Sequence, residues 1–470
     1  MKTPLVYGGV LLYNKECVVY FKRKGRITMI KLPKDVKDIL AKLSKNGFRA
    51  YCIGGCVRDS LCGLKPSDWD IATNAKYEDL KNLFPEFKTL SEKYSVIRNT
   101  FPLREGTDEE TEITVDIATF RKEGIYSDGR KPDNVTFVDT IEEDLPRRDF
   151  TINALGDNGF EFIDEYNGRE DIKNKIVKTI GSANEKFAED PVRMLRAIRL
   201  AAELDFDLSK EVYEAIKANY MSLSKVSLDR FRSEFMKIIG APHGGRGLNM
   251  IIDTGILSFV LNGNDAKHLT RREKQDLITI CNKMDGTKPI AERRLGLFYS
   301  ILGKRKAQAS IKKLQFDADL TQHLMDATNL MPKFFYAVNE KALKRFIFNY
   351  GEDRFDYCFN LEKAQRIALD VDIRLKIEAK VHFINEIKMQ NQVVFPEDLR
   401  IDENDLIEAG IAKNMETAKL LILWLTEVCH DKNHLNTREK LLERAKKSKV
   451  YLPYLKLRYA KRIKGIIPQR

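Results

Sequence analysis

Asp68 and Asp70 lie two residues apart in "SDWDIAT". If that stretch is a strand, both carboxylates emerge on one face, because successive side chains alternate. Two carboxylates that close repel unless a cation sits between them. Mg²⁺ is commonly held by one or two carboxylates plus substrate phosphate oxygens. Asp116 lies in a second alternating stretch, "EITVDIATF", where Val115 and Ile117 point the other way, so it can supply a third carboxylate. Two metal ions held like this serve an in-line attack on a phosphoryl group. A D-x-D pair on its own fits an ordinary surface strand better.

The residues just upstream change that balance. "FRAYCI" reads as a strand that runs into Gly54-Gly55. Glycines at a strand end let backbone N–H groups approach phosphates, and a helix starting there adds a favourable dipole. Arg58 follows within reach, with a forked guanidinium suited to the same phosphates. A glycine pair is also common in plain turns, but Gly-Gly, Arg and D-x-D in one short run form a far more specific combination.

These residues need a scaffold, and the chain divides accordingly. At 470 residues it is too long for one core. We expect an α+β protein with a small mixed β-sheet head, followed by a long all-helical neck, body and tail. Residues 1–33 read as a hairpin-like extension, alternating around Lys24-Gly25. Residues 34–165 form the head, opening with a helix over Val36, Ile39, Leu40 and Leu43 that stops near Gly47. "TNAKYEDLKNLF" reads as a helix capped by Thr73 or Asn74. "RKEGIYSDGRKPD" reads as a polar loop, and "FEFIDEY" as a short strand. Residues 166–225 are a helical neck, 226–350 a helical body and 351–470 a helical tail.

The net charge of +12 favours an anionic partner such as nucleic acid. From Arg438 to Arg470 only Glu439 and Glu443 oppose a dense run of Lys and Arg, interleaved with Tyr451, Tyr454 and Tyr459. That pattern suits a clamp on a phosphate backbone as well as a solvated tail. No run of apolar residues is long enough for a membrane span. The first ten residues lack a signal peptide's layout. The seven cysteines have no spacing suited to zinc and read as reduced, buried side chains. Together these point to the cytoplasm.

Two further stretches carry charge in a pattern. "DLPRRDFTINAL" holds Arg147, Arg148 and Asp149, which alone would pass for a surface ion pair. "EDPVRMLRAIRLAAEL" begins a helix, with Asp190 as its N-cap and Pro191 at the first position. Arg193, Arg196 and Arg199 share a broad face, while Leu195, Ile198 and Ala202 pack on another.

In order, "GGCVRDSLCGLKPSDWDIAT", "VDIATFR", "RRDFTINAL" and "EDPVRMLRAIRLAAEL" closely resemble the class II tRNA nucleotidyltransferases and bacterial poly(A) polymerases. These belong to the polymerase-β-like nucleotidyltransferase superfamily. The resemblance is strong over residues 34 to 215 and loose beyond. It implies that Asp68 and Asp70 bind metal as catalytic carboxylates, beside which the strand alternation lets Asp116 supply a third catalytic carboxylate. It implies nucleotide contacts from Gly54, Gly55 and Arg58. Arg148, Asp149 and Asn153 match the stretch that handles the incoming ribonucleotide, where an aspartate can accept from a ribose 2′-hydroxyl. Asp190 and Arg193 match the pair that stands in for a template base. Cytosine and adenine both present an amino donor beside a ring-nitrogen acceptor, which an aspartate and an arginine complement. Uracil and guanine would aim a carbonyl oxygen at the carboxylate. Glu189 orients Arg193 in this reading, and Arg196 and Arg199 are further nucleotide contacts.

The implied reaction is template-independent addition of CCA to the 3′ end of tRNA from CTP and ATP. The RNA 3′-hydroxyl attacks the α-phosphate and pyrophosphate leaves, with Mg²⁺ as cofactor. The helical part would hold the tRNA acceptor stem and elbow through shape and phosphate contacts. "FRKEGIYSDGRKPDNVTF" resembles the flexible loop of full CCA-adding enzymes, which favours CCA addition over CC addition alone. "PEFKTLSEKYSVIRNTF" stands where poly(A) polymerases carry a basic G-R-R-F-like stretch and CCA enzymes usually read G-x-x-H-G-T. Poly(A) or partial addition is the alternative within the family, and a non-catalytic RNA-binding protein the alternative outside it. "AERRLGLFYSILG" lacks the His-Asp pair of related phosphohydrolase domains, and "CHDKNH" reads as a helix end, so no phosphatase activity is expected.

Overall fold

Alternation of apolar and polar residues makes strands of the head, and a computed structural model shows how they assemble. It describes residues 6–7, 10–11, 30–102, 112–124, 132–369, 371–448 and 451–463. Two short strands, β1 (Val6–Tyr7) and β2 (Val10–Leu11), pair antiparallel; the hairpin expected around Lys24-Gly25 lies outside the described residues. The main strands follow as β3 (Ala50–Ile53), β4 (Asp68–Thr73), β5 (Lys88–Ser91), β6 (Val96–Phe101) and β7 (Ile113–Thr119). The ribbon strands β8 (Arg121–Glu123) and β9 (Val135–Phe137) come next, then β10 (Gly156–Asp157) and β11 (Phe162–Ile163). Seven of these form one mixed sheet in the order β11-β10-β3-β4-β7-β6-β5. Only β4 and β7 run parallel within it.

The two parallel strands are the sheet's centre. Trp69 and Ile71 on β4 and Val115 and Ile117 on β7 are buried on one face. Each contributes about 1.5–3 kcal/mol by leaving water. The residues between them are the aspartates, so burying one face presents Asp68, Asp70 and Asp116 on the other.

Among its described residues, ten α-helices complete the first unit, which spans Met1–Leu257. They are α1 (Lys34–Lys45), α2 (Gly55–Leu61), α3 (Tyr77–Leu83), α4 (Ile141–Asp144), α5 (Gly168–Lys173), α6 (Ala183–Glu189), α7 (Val192–Leu204), α8 (Lys210–Asn219), α9 (Leu228–Gly240) and α10 (Gly244–Asp253). A small parallel pair, β12 (Ile176–Val177) and β13 (Asp207–Leu208), ties the start of the neck to the end of α7.

Three local expectations are corrected. Helix α3 starts at Tyr77, not after Thr73 or Asn74. Thr73 stays in β4 and donates its hydroxyl to the Arg49 carbonyl at 2.6 Å, while Asn74 accepts from the Arg49 N–H at 2.8 Å. The Asp79 carboxylate caps the helix instead, accepting from the Lys76 N–H at 3.0 Å. The polar stretch after β7 is not all loop, because β8 and β9 pair antiparallel at its two ends, with residues 125–131 outside the described residues. Hydrogen-bonded helix α7 begins at Val192, with Pro191 already helical and Asp190 extended. Asp190 still caps it through the side chain, accepting from the Val192 N–H at 3.1 Å.

In the second unit, Ser258–Arg470, all regular elements among the described residues are helical. One core cluster gathers Val393, Leu406, Leu420, Leu421, Leu425, Leu441 and Leu455. The helix Met415–Asp431 ends at the His430-Asp431 pair, as expected. Cys52, Cys56, Cys62, Cys281, Cys358 and Cys429 are free and buried. No helix among the described residues is long and apolar enough to cross a membrane.

Candidate active site

The sheet brings the three aspartates into one row. Asp70 stands opposite Asp116 in the parallel β4–β7 register, and Asp68 lies two residues along the same face. Asp70 keeps an exposed edge, yet desolvation by the protein packed around it pushes its carboxyl up to about 6. The Arg148 guanidinium opposes that rise, and the like charges of Asp68 and Asp116 add to it. Among the described residues no three His, Cys, Asp or Glu side chains converge closely enough to cage a metal ion by themselves. Asp116 is taken up elsewhere. Arg98 on β6, its partner in the antiparallel register, grips both carboxylate oxygens at 2.6 and 2.7 Å.

Gly54 closes the other side of the row. Its φ of +82° is a conformation that L side chains rarely adopt. A Cβ there would lie 3.4 Å from Arg148 Nη1 and 3.7 Å from Asp70 Oδ2. A bare backbone at this point leaves the space between arginine and aspartate open. One turn into α2, Arg58 is buried and donates to Asp59 at 2.8 Å and to Asn153 Oδ1 at 2.6 Å. Gly55 lies next to that guanidinium.

The Arg147-Arg148-Asp149 run is not a surface pair. Asp144 is fully buried and accepts from Arg147 at 2.8 Å, from Arg148 at 3.2 Å and from the Arg121 N–H at 3.0 Å. Burial would raise this carboxyl, but Arg148 and Arg147 hold it below the ordinary range. Asp149 likewise stays low despite burial, because Arg196 and Arg193 face it and Asn153 and the Phe150 N–H donate to it. The Arg196 contact is 2.7 Å. The turn Thr151–Asn153 that carries Asn153 is clamped from behind: Thr151 donates to Asp171 at 2.6 Å. A Cβ on Gly168 would sit 2.4 Å from the Thr151 carbonyl oxygen, so only glycine lets α5 pack this close.

The helix pair α6–α7 adds the third group. Arg193 donates to Glu189, to the Lys186 carbonyl at 3.3 Å and to the Arg147 carbonyl at 3.5 Å. It is thereby fixed beside the Arg147–Asp149 turn. Asp190 does not pair with Arg193. Its second oxygen accepts from Arg230 on α9 at 2.5 Å. Arg196 reaches Asp149, and its buried Nε–H has no partner among the described residues. Arg199 turns away to Glu234 at 3.1 Å and Glu203 at 3.4 Å.

Asp144, Arg98, Arg230 and Glu234 are among the partners not singled out in the sequence. Asp144 had a usable signal, since it precedes Arg147 and Arg148 at the i,i+3 and i,i+4 spacing. Arg98, Arg230 and Glu234 had none, because their roles depend on which strand or helix lies alongside.

Known proteins resemble this chain over most of its length. Residues 50–178 match the Poly A polymerase head domain family, and residues 205–267 match the family described as "Probable RNA and SrmB- binding site of polymerase A". The CCA-adding enzyme of Streptococcus thermophilus is 28% identical over 404 residues, 83% of this chain and 96% of that protein. The CCA-adding enzyme of Staphylococcus aureus is 32% identical over 340 residues, 71% of this chain and 76% of that one. Among solved structures, the Bacillus stearothermophilus CCA-adding enzyme in complex with CTP shares the fold, with a TM-score of 0.68 at 23% identity, covering 92% of this chain and 98% of its own. With its carboxylate row, its glycine-bounded arginines and relatives matched over most of their length, the chain belongs to the family of CCA-adding enzymes.

Proposed function

We propose that this protein completes the 3′ end of tRNA by adding C, C and A from CTP and ATP, releasing pyrophosphate. The observation that carries the reading is the continuity of the site. The Asp68–Asp70–Asp116 face meets Arg148 across Gly54, Arg148 is covalently joined to the Asp149 turn, and Arg193 is tied to that turn through the Arg147 carbonyl. Catalytic carboxylates, phosphate-binding arginines and a base-reading helix therefore share one surface.

Nucleotidyltransferases of this kind use divalent metals, and the residues present fit Mg²⁺. The donors are carboxylate oxygens only, their mutual repulsion is what a dication relieves, and the number available suits an ion that keeps substrate oxygens in its shell. Asp68 and Asp70 would hold it. When bound, it supplies Lewis-acid stabilisation of charge on the phosphoryl oxygens. The chain's own residues do the rest. The Gly54 backbone leaves room for a triphosphate, and Arg58 and Arg148 present forked donors to it. Asp149, held ionised by its arginines, accepts from the ribose 2′-hydroxyl and so favours ribonucleotides.

Asp190 and Arg193 read the base. Arg230 and the Val192 N–H fix Asp190, and Glu189 fixes Arg193. An aspartate acceptor beside an arginine donor complements cytosine and adenine and repels the carbonyl edge of uracil and guanine. The basic helices Arg438–Lys447 and Leu452–Ile463 of the second unit supply phosphate contacts for tRNA. A tRNA substrate and reduced, buried cysteines support a cytoplasmic setting.

The test is Asp68→Ala. The variant should lose nucleotide incorporation while binding tRNA as the wild type does in a filter assay. A variant that still incorporates CTP would remove catalysis from this face of the sheet.

A further inference from the structure

The Arg98–Asp116 pair sits at the edge of the carboxylate row, and the reading above leaves the metal ion to Asp68 and Asp70. Arg98 faces Asp116 in register across β6 and β7, and Asp116 faces Asp70 across β7 and β4. Both Asp116 oxygens accept from one guanidinium, at 2.6 and 2.7 Å. The arginine is about half exposed, at 47%, so the pair adds little to stability. The strands it joins are already held by buried Val115, Ile117 and Ile97. Its consequence is electrostatic. A dication drawn toward Asp116 must approach a fixed positive charge or displace it.

We propose that Arg98 is a positioning residue, the resident counter-cation of Asp116. It withholds this carboxylate from the metal ion, so the resting site binds a divalent cation through Asp68 and Asp70 and not through all three aspartates. The proposal rests on the reading of Asp68 and Asp70 as the cation ligands. Removing Arg98 frees a full negative charge beside the ion, so binding tightens. Removing both Arg98 and Asp116 leaves the net charge of the row unchanged, so binding returns to its original strength.

The experiment is a Mn²⁺ titration of the purified full chain, without nucleotide, followed by the electron paramagnetic resonance signal of free Mn²⁺. Arg98→Ala should bind Mn²⁺ about tenfold more tightly than wild type. Arg98→Lys, which keeps the charge, should stay within about threefold of wild type, as should the Arg98→Ala, Asp116→Asn double variant. Unchanged or weaker binding in Arg98→Ala overturns the proposal. So does a double variant about tenfold weaker than wild type, because Asp116 would then be a ligand despite its arginine. Asp70→Asn separates the two levels of the argument. Loss of binding there with no gain in Arg98→Ala overturns the role of Arg98 alone, whereas binding that survives Asp70→Asn removes the ligand reading on which it rests.

Discussion

The two units of this chain both bury charge, and they do so to opposite ends. In the second unit Lys380 and Glu362 are completely enclosed, paired at 2.7 and 2.8 Å, with the Lys380 ammonium 4.7 Å from the Phe334 ring centroid. Burial pushes each toward its neutral form, and each holds the other charged. Lys344, equally enclosed, is bound by Glu340 and Gln392. The Lys380–Glu362 pair is closed to any ligand. In the first unit the charges form a chain that stays open at one side. Asp144 holds Arg147 and Arg148, Asp149 holds Arg196, Glu189 holds Arg193, and Asp68 and Asp70 face outward. A partner fixes each group without using up all of its donors or acceptors. The difference teaches that pairing alone does not mark a site; what marks it is pairing that leaves atoms to spare toward solvent.

The comparison breaks most visibly at its extremes. With Asp70 as a proposed metal ligand, Asp70→Asn should lower incorporation by about 10³-fold or more. It should leave stability unchanged or raised, because it relieves repulsion from Asp68 and Asp116. Stability can be read one unit at a time, because the two tryptophans fall one in each, Trp69 in the first and Trp424 in the second. In a Trp424→Phe background, urea unfolding followed by Trp69 should show no loss for Asp70→Asn.

Lys380→Ala should show the converse. An unpaired Glu362 left in the core costs about 3–5 kcal/mol, read from Trp424 in a Trp69→Phe background. Incorporation per folded molecule should hold near wild type. Replacing both partners, with Lys380→Met and Glu362→Leu, should recover most of the loss. A loss of activity without a loss of stability in Lys380→Ala would contradict the purely structural role.

A smaller effect sharpens the same contrast through pH. His430 is buried, its Nε2 lies 2.9 Å from the Val394 carbonyl, and its ring packs edge-on against Phe348. With Nε2–H donating, the buried Nδ1 has no partner among the described residues. Burial, together with Lys344, Arg345 and Arg462 nearby, brings the imidazole down to about 4 from an ordinary 6.5. Between those values the unfolded chain binds the proton and the folded chain does not, so stability rises with pH. The contribution is fully present above about pH 6.5 and is lost as pH falls toward 4, amounting to about 3 kcal/mol. Urea unfolding read from Trp424 should lose about 2 kcal/mol between pH 6.5 and 5, and His430→Gln should flatten that slope.

Much of the site was legible because its signals are local. The two-residue spacing of Asp68 and Asp70, the alternation around Asp116 and the Asp-Pro start of α7 depend on neighbours along the chain. What was hidden depends on neighbours across it. Arg98 acquires its partner only from the β6–β7 register, and Arg230 reaches Asp190 only because α9 packs on α7. Arg199 looked equivalent to Arg196 on a three-residue repeat, but the neighbouring helix presents Glu234 to one and not the other. Thr73 has the chemistry of a helix cap, yet its hydroxyl goes to the Arg49 carbonyl because the strand continues through it. The polar stretch after β7 has turn residues at its middle and strand pairing at its ends, and composition reports only the middle.

The central claim is that one open site both transfers nucleotides and chooses them. The most direct test is a gel assay with purified protein, Mg²⁺ and tRNA transcripts ending at the discriminator, at C and at CC, with CTP, ATP, UTP and GTP given singly and CTP with ATP together. The account predicts extension to CCA and a stop there, with UTP and GTP excluded. An open-ended ladder of A from ATP alone, or ready use of UTP, would contradict it.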